Sequence, residues 1–196
     1  MLQFSGARQR SQKTEKWGAA VATDTKVQIA EAAKRLLMDK KVKKLTIKDI
    51  VEECHITRQA FYYHFADIPE LLQWMLQQGM DQIYQECRAR GSQEEGLRYL
   101  FLVALNAAPY IRHSMETNYA DEIETLVTEE LYKLFEQLIE DEGLYQDCSR
   151  SQIDLFLRYH TQAIMGLIRT WTDNDTKNLD RIVHDIYLLV SGQIKP

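Results

Sequence analysis

Five side chains within seven residues carry the chemistry most open to interpretation: Arg58, Gln59, Tyr62, Tyr63 and His64. Arginine presents paired donors, and glutamine a donor with an acceptor, that match base edges, and tyrosine hydroxyls suit phosphate oxygens. Phe61 and Phe65 lie one helical turn apart. If they face inward, 100° per residue turns Gln59, Tyr62 and Tyr63 outward, with Arg58 on the flank near the N-terminus. Thr57 is a suitable N-cap for such a helix. A short helix offering Arg, Gln and two Tyr suits the major groove of DNA. The alternative is an ordinary helical hairpin whose tyrosines pack against other elements.

A helix this short needs a neighbour to hold its angle. Upstream, Ile47, Ile50, Val51 and Cys54 form an apolar stripe at helical spacing, ending in a tight turn at His55. The spacing predicts helices over 46–53 and 57–64, preceded by one from Asp24 or Thr25 to about Asp39. Asp67 is placed to cap a long helix with Pro69 in its first turn, running to about Ala89.

The segment between Thr46 and Leu72 resembles a known family. Thr46-Ile47-x-x-Ile50, Ile56-Thr57, Phe61-Tyr62-x-x-Phe65 and Glu70-Leu71-Leu72 are similar to the N-terminal domain of TetR-type transcriptional regulators. So are Thr25, Ile29, Ala32, Ala33 and Leu36 ahead of them. The likeness covers roughly residues 24 to 72. It implies DNA contacts from Thr46, Lys48, Thr57, Arg58, Gln59, Tyr62, Tyr63 and His64. Two positions depart from the family's pattern. Its usual turn glycine is His55 here, a residue that tolerates a left-handed backbone better than most. Its usual phosphate-binding lysine is Ile68, so one backbone contact is expected to be missing.

Charge is segregated along the chain. The net charge of −5 divides into +6 over residues 1–65 and −11 over residues 66–196. A basic end carrying the helix pair and an acidic end that repels phosphate favour one docking orientation. Lys40, Lys41, Lys43 and Lys44 precede the first helix of the pair, either as a solvated loop or as phosphate contacts.

Other chemistries find little support. His160 and His184 have no partner at ligand spacing, and His113 with Glu116 supplies only two weak ligands. Cys54, Cys87 and Cys148 are widely separated, show no metal-like spacing and are odd in number. Asp173-Asn174-Asp175 lacks the glycine and terminal glutamate of a calcium loop and reads as a helix connector. With no phosphate loop or nucleophile elbow, neither catalysis nor a cofactor or metal is implied. No apolar run is long enough to span a membrane, and no signal peptide core opens the chain, so a cytoplasmic location is expected.

Few prolines and glycines, with apolar residues at three- and four-residue spacing nearly throughout, predict an all-α protein. Three segments are expected: a basic tail over 1–23, a helix-turn-helix domain over 24–67, and a helical bundle over 68–196. In the bundle, Pro109 is expected to interrupt or bend a helix begun by Leu97 and Leu100. A helix over 120–140 closes at Gly143, and another begins at Ser149 or Ser151. The last two apolar stripes are broader than one contact face requires. The family resemblance implies that the final helices form a four-helix dimer interface, here from Phe156, Ile164, Ile168, Trp171, Ile182, Ile186 and Val190. Ala163 to Trp171 also loosely resembles regulators of dihydroxyacetone kinase.

The resemblance further implies a small effector between the middle helices, with Trp74, Phe101, Tyr110, Met115, Tyr119 and Met165 as candidate walls. The acidic balance hints weakly at a cation, but surface charge is not pocket charge, and the effector stays unnamed. The implied activity is a homodimeric, ligand-responsive repressor on a partly palindromic double-stranded operator. The effector would tilt the helix starting near Ile68 and move the recognition helices off their half-sites. An activator or co-activator of the dihydroxyacetone kinase regulator type, or a helical adaptor that has lost DNA binding, are the alternatives.

Overall fold

Helix α1 covers residues 25–39, and its last five residues, Arg35–Asp39, widen into a π-helical turn. The computed structural model describes residues 25–114, 116–191 and 193. The tail expected over 1–23 and the candidate Met115 therefore lie outside the described residues, and Tyr110 is described by its backbone alone. Among the described residues there are helices and no strand, the all-α architecture that composition predicts. None of these helices is long and apolar enough to cross a membrane.

Helices α2 (Ile47–Glu53) and α3 (Arg58–His64) follow, each started by a threonine. Thr46 accepts from Asp49 N at 3.2 Å and Thr57 from Ala60 N at 3.1 Å, satisfying amide donors that lack helical partners. Helix α4 (Ile68–Arg88) starts at Asp67, whose carboxylate accepts from Glu70 N at 2.9 Å, and holds Pro69 in its first turn. The chain divides into two compact units between Leu72 and Gln73, inside α4. In the first unit, Ile29, Ala33, Leu45, Ile50, Phe61 and Phe65 are buried. They come from the inward stripes of α1, α2 and α3 and from the segment that joins α1 to α2.

The second unit contains α5 (Gln93–Ser114), α6 (Ala120–Asp141), α7 (Arg150–Arg169), α8 (Asp173–Lys177) and α9 (Leu179–Val190). Helix α5 continues through Pro109 rather than stopping there. Proline removes one i→i−4 hydrogen bond, and the remaining bonds of a 22-residue helix carry it across. The Asp173-Asn174-Asp175 connector is itself a short helix, because Thr172 and Asp175 form a reciprocal capping box. Ser149, with Gln152, starts α7 in the same way.

Leu100 and Phe101 from α5, Leu131 and Leu134 from α6, Ile164 from α7 and Val183 from α9 share one buried cluster. Polar contacts run alongside it. Arg98 Nε donates to Asp180 at 2.6 Å between α5 and α9, and Arg169 donates to Glu124 at 2.6 Å between α7 and α6. Such exposed pairs fix alignment more than they add stability.

Candidate nucleic-acid interface and ligand cavity

The turn between α2 and α3 sets the geometry of the candidate recognition surface. Glu53 ends α2, and His55 follows with φ +56°. His55 N donates to Glu52 O at 3.4 Å and Ile56 N to Val51 O at 3.0 Å, the paired bonds of a Schellman cap. The same cap closes α6, where glycine holds the left-handed position: Gly143 has φ +60° and donates to Glu140 O at 3.2 Å. His55 thus occupies a glycine-type position, and the turn forms with it in place.

Beyond the turn, Phe61 and Phe65 are buried with ring centroids 6.0 Å apart. Their inward placement turns Tyr62 and Tyr63 outward, 56% and 79% exposed. Arg58 and Gln59 are also exposed, so the four side chains share the solvent face of one helix. His64 is half-buried and edge-on to Tyr63 at 5.0 Å. Burial, with a smaller effect from Lys26, holds its imidazole below the ordinary histidine range.

The other residues assigned to DNA sit differently. Lys48 is exposed and within 3.8 Å of Glu52 on its own helix. The Thr46 hydroxyl is half-buried and donates to Asp49 Oδ2 at 2.6 Å, so it is committed to its cap. Thr57 is an exposed cap beside Arg58. Of the four lysines ahead of α2, Lys40 is tied to Glu53 at 2.5 Å, which Arg35 also contacts at 3.1 Å. Lys40, then Arg35, hold the Glu53 carboxyl below the usual carboxylate range. Lys41, Lys43 and Lys44 are exposed. Ile68 is only 3% exposed, so the position of the family's usual lysine is part of the packing here.

The second unit contains a partly open cavity of about 320 Å³. Leu97 and Leu100 of α5, Phe135 of α6, Phe156 and Ile164 of α7 and Val190 of α9 form its apolar wall. None of the described side chains expected from sequence as pocket walls lines it. Phe101 is fully buried, its ring 5.6 Å from Trp171; Met165 packs against the core; Trp74 and Tyr119 are half-buried elsewhere. The wall draws residues from four helices, a grouping that periodicity on one helix cannot reveal.

The seven residues assigned to a dimer interface also face mostly inward. Ile164 is 3% exposed, Phe156 and Val190 line the cavity, and Ile168, Trp171 and Ile186 pack against the core. Ile182 is half-buried. The apolar groups that α7 turns outward are Leu155, Tyr159, Ala163 and Leu167, spaced four residues apart, with Gly166 beside them. A side chain added at Gly166 would meet open space. The broad stripe was legible in sequence, but its inner and outer edges were not.

Comparison with known proteins follows the same two units. Residues 29–75 match the family model of bacterial regulatory proteins of the tetR family, and residues 91–191 match that of a transcriptional regulator C-terminal region. The HTH-type transcriptional regulator TtgR of Pseudomonas putida is 42% identical over 55 residues, 28% of this chain and 26% of that protein. The probable HTH-type transcriptional regulator ArpR, also of Pseudomonas putida, matches to the same extent, so the likeness spans about a quarter of these relatives. Among solved structures, the TetR family repressor AlkX from Dietzia is similar over 86% of this chain and 98% of its own, at 18% identity and a TM-score of 0.52. The fatty acid degradation regulator FadR from Bacillus halodurans is similar over 87% and 96%, at 15% identity and a TM-score of 0.50. At such identities the structural likeness concerns the fold alone.

Proposed function

This chain belongs to the TetR family of bacterial transcriptional regulators, and from that premise we propose that it is a homodimeric, effector-responsive repressor of a partly palindromic operator. Members of the family are DNA-binding regulators and not enzymes. The observation that carries the proposal is the outward face of α3, where Arg58, Gln59, Tyr62 and Tyr63 stand beside a capped N-terminus. Arg58 and Gln59 would read base edges, whereas Tyr62, Tyr63, Thr57 and His64 would meet phosphates. Lys48 and the exposed lysines of the preceding segment would add phosphate contacts. The functional division is a helix-turn-helix domain over 24–67 and an effector and dimerisation domain over 68–196, acting in the cytoplasm.

Dimerisation would use the outward stripe of α7, from Leu155 to Leu167, with Leu189 of α9, which is also exposed. Four apolar positions at four-residue spacing on one exposed helix face call for a partner, and a second copy supplies the same stripe in an isologous pairing. Two copies then present two α3 helices, so the operator takes the symmetry of the dimer. Effector binding within the second domain would be read out through α4, the helix that carries residues of both units.

Selection of genomic fragments on the purified protein, followed by sequencing of those retained, tests this reading. Enrichment of one inverted-repeat motif is expected. Recovery of fragments without a shared motif would overturn it and favour a helical adaptor.

A further inference from the structure

The cavity of the second unit is apolar in its walls and balanced in its charges. At its rim, Arg88 Nε lies 3.3 Å from Asp141, which also accepts from the Tyr84 hydroxyl. Arg90 pairs with Glu86 at 3.1 Å and stacks over the Tyr99 ring, while Glu142 accepts from Gln93 at 3.0 Å. Both arginines are thus ion-paired, Glu142 meets a neutral amide, and the two arginines and two carboxylates of the lining carry no net charge. His160 also lines the cavity, half-buried, with its ring centroid 4.0 Å from that of Phe156 and 5.2 Å from that of the outward-facing Tyr159, and among the described residues its ring has no hydrogen-bond partner. Cys87, whose thiol lies 3.4 Å from Gly96 O, lines it as well.

We propose that this cavity binds an uncharged, largely apolar molecule whose hydroxyl group meets His160, and that it rejects anions and organic cations of the same shape. This deepens the effector reading above and rests on it. Burial pushes the His160 imidazole below its ordinary range, leaving it neutral near pH 7 with one N–H to give and one lone pair to accept. Burial also raises the Cys87 thiol to about 11, so it stays protonated. The lining therefore offers no net charge, and a ligand charge would lose water without gaining a net counter-charge. A hydroxyl is the simplest group that can use both hydrogen-bonding capacities of a neutral imidazole. A volume of about 320 Å³ is roughly twice the ~150 Å³ of an engineered apolar cavity that accepts benzene, so a fused two-ring body fits the scale. The acidic balance of the chain gives a cation no advantage here, because Asp141 and Glu142 in the lining are matched in number by Arg88 and Arg90.

Four probes of one shape test the proposal on the full-length, DNA-free protein: naphthalene, naphthol, naphthoate and naphthylmethylammonium, titrated by calorimetry near pH 7. Naphthol is expected to bind most tightly, with each charged probe weaker by about tenfold or more. His160→Phe should keep naphthalene binding and remove the advantage of naphthol over it. Leu138→Trp, filling the cavity from α6, should weaken naphthol and naphthalene together and guards against a poorly folded His160 variant. Equal binding of either charged probe to the wild-type protein, no binding by any probe, or a naphthol preference that survives His160→Phe would each overturn the proposal. Failure of the genomic selection would instead overturn the operator reading and leave these affinities standing.

Discussion

Tyr62 and Gln59 lie three residues apart on the same exposed helix face, yet their chemistry assigns them different work. A glutamine amide can pair with one base, so Gln59→Ala should cost about 1–3 kcal/mol on the selected operator and relax specificity at one or two base pairs. A phenol on phosphate carries no sequence information, so Tyr62→Phe should weaken operator and random duplex alike. Competition binding with single-base operator variants separates the two, and wild-type behaviour in both variants would remove α3 from the recognition role. His55 invites a stability measurement. At φ +56° an L-residue carries strain that glycine avoids, so His55→Gly should raise the unfolding free energy by about 0.5–1 kcal/mol in urea. A loss of stability would mean that the imidazole makes a compensating contact. Ile68 supplies the opposite case. Its burial makes Ile68→Lys destabilising by about 3 kcal/mol, because the substitution removes packing and buries an ammonium group. A steeper salt dependence of DNA binding with an unchanged melting point would show instead that the lysine reaches phosphate.

Among the elements, α2 and α3 were nearly legible from the residues, whereas α7 was legible only as a helix. The first pair is short and each helix has one buried face, so periodicity alone orients Phe61 and Phe65 and, by exclusion, Tyr62 and Tyr63. The threonine caps and the left-handed residue at His55 are local signals, readable without tertiary context. Helix α7 has apolar groups around more than half of its circumference, and periodicity cannot tell the edge that meets its own chain from the edge that meets solvent. Ile164 and Tyr159 differ by five residues, yet one is 3% exposed and the other 68%. The cavity was illegible for a related reason, since its walls are brought together only by packing. These placements give a paired prediction. Tyr159→Glu should leave the chain folded and shift sedimentation from about twice the 23.0 kDa chain mass toward the single chain. Ile164→Glu should lower the melting point steeply, because it places a charge in the buried cluster of the second unit. A folded Tyr159→Glu protein that remains dimeric would move the interface away from the α7 stripe.

For the whole molecule, the question is how a chain of net charge −5 binds a polyanion at all. Net charge matters less than its distribution, because exposed charges more than a Debye length away are screened, ~8–10 Å at ordinary ionic strength. On the proposed reading the +6 balance of residues 1–65 meets DNA, and the −11 of the remainder would disfavour the reverse docking. Salt dependence counts the cations that meet phosphate, with the logarithm of affinity falling by about 0.9 per contact for each decade of salt. The lysine cluster before α2 divides cleanly under this measure. Lys43 and Lys44 are exposed, whereas Lys40 is held by Glu53. Lys43→Ala or Lys44→Ala should therefore flatten the slope by about 0.9 for each phosphate left without its ammonium partner, with little change in unfolding. Lys40→Ala should leave the slope intact and instead release Glu53 to titrate closer to the usual carboxylate range. The sign of that linkage is fixed. A depressed carboxyl contributes stability above its unfolded pKa that is lost as pH falls through the folded value, so the variant should lose less stability on acidification than wild type. Affinity measured at several salt concentrations, alongside unfolding over a pH series, checks both halves. A slope that flattens for Lys40→Ala and holds for Lys43→Ala and Lys44→Ala would reverse the assignment and place the Lys40 ammonium on DNA in the complex.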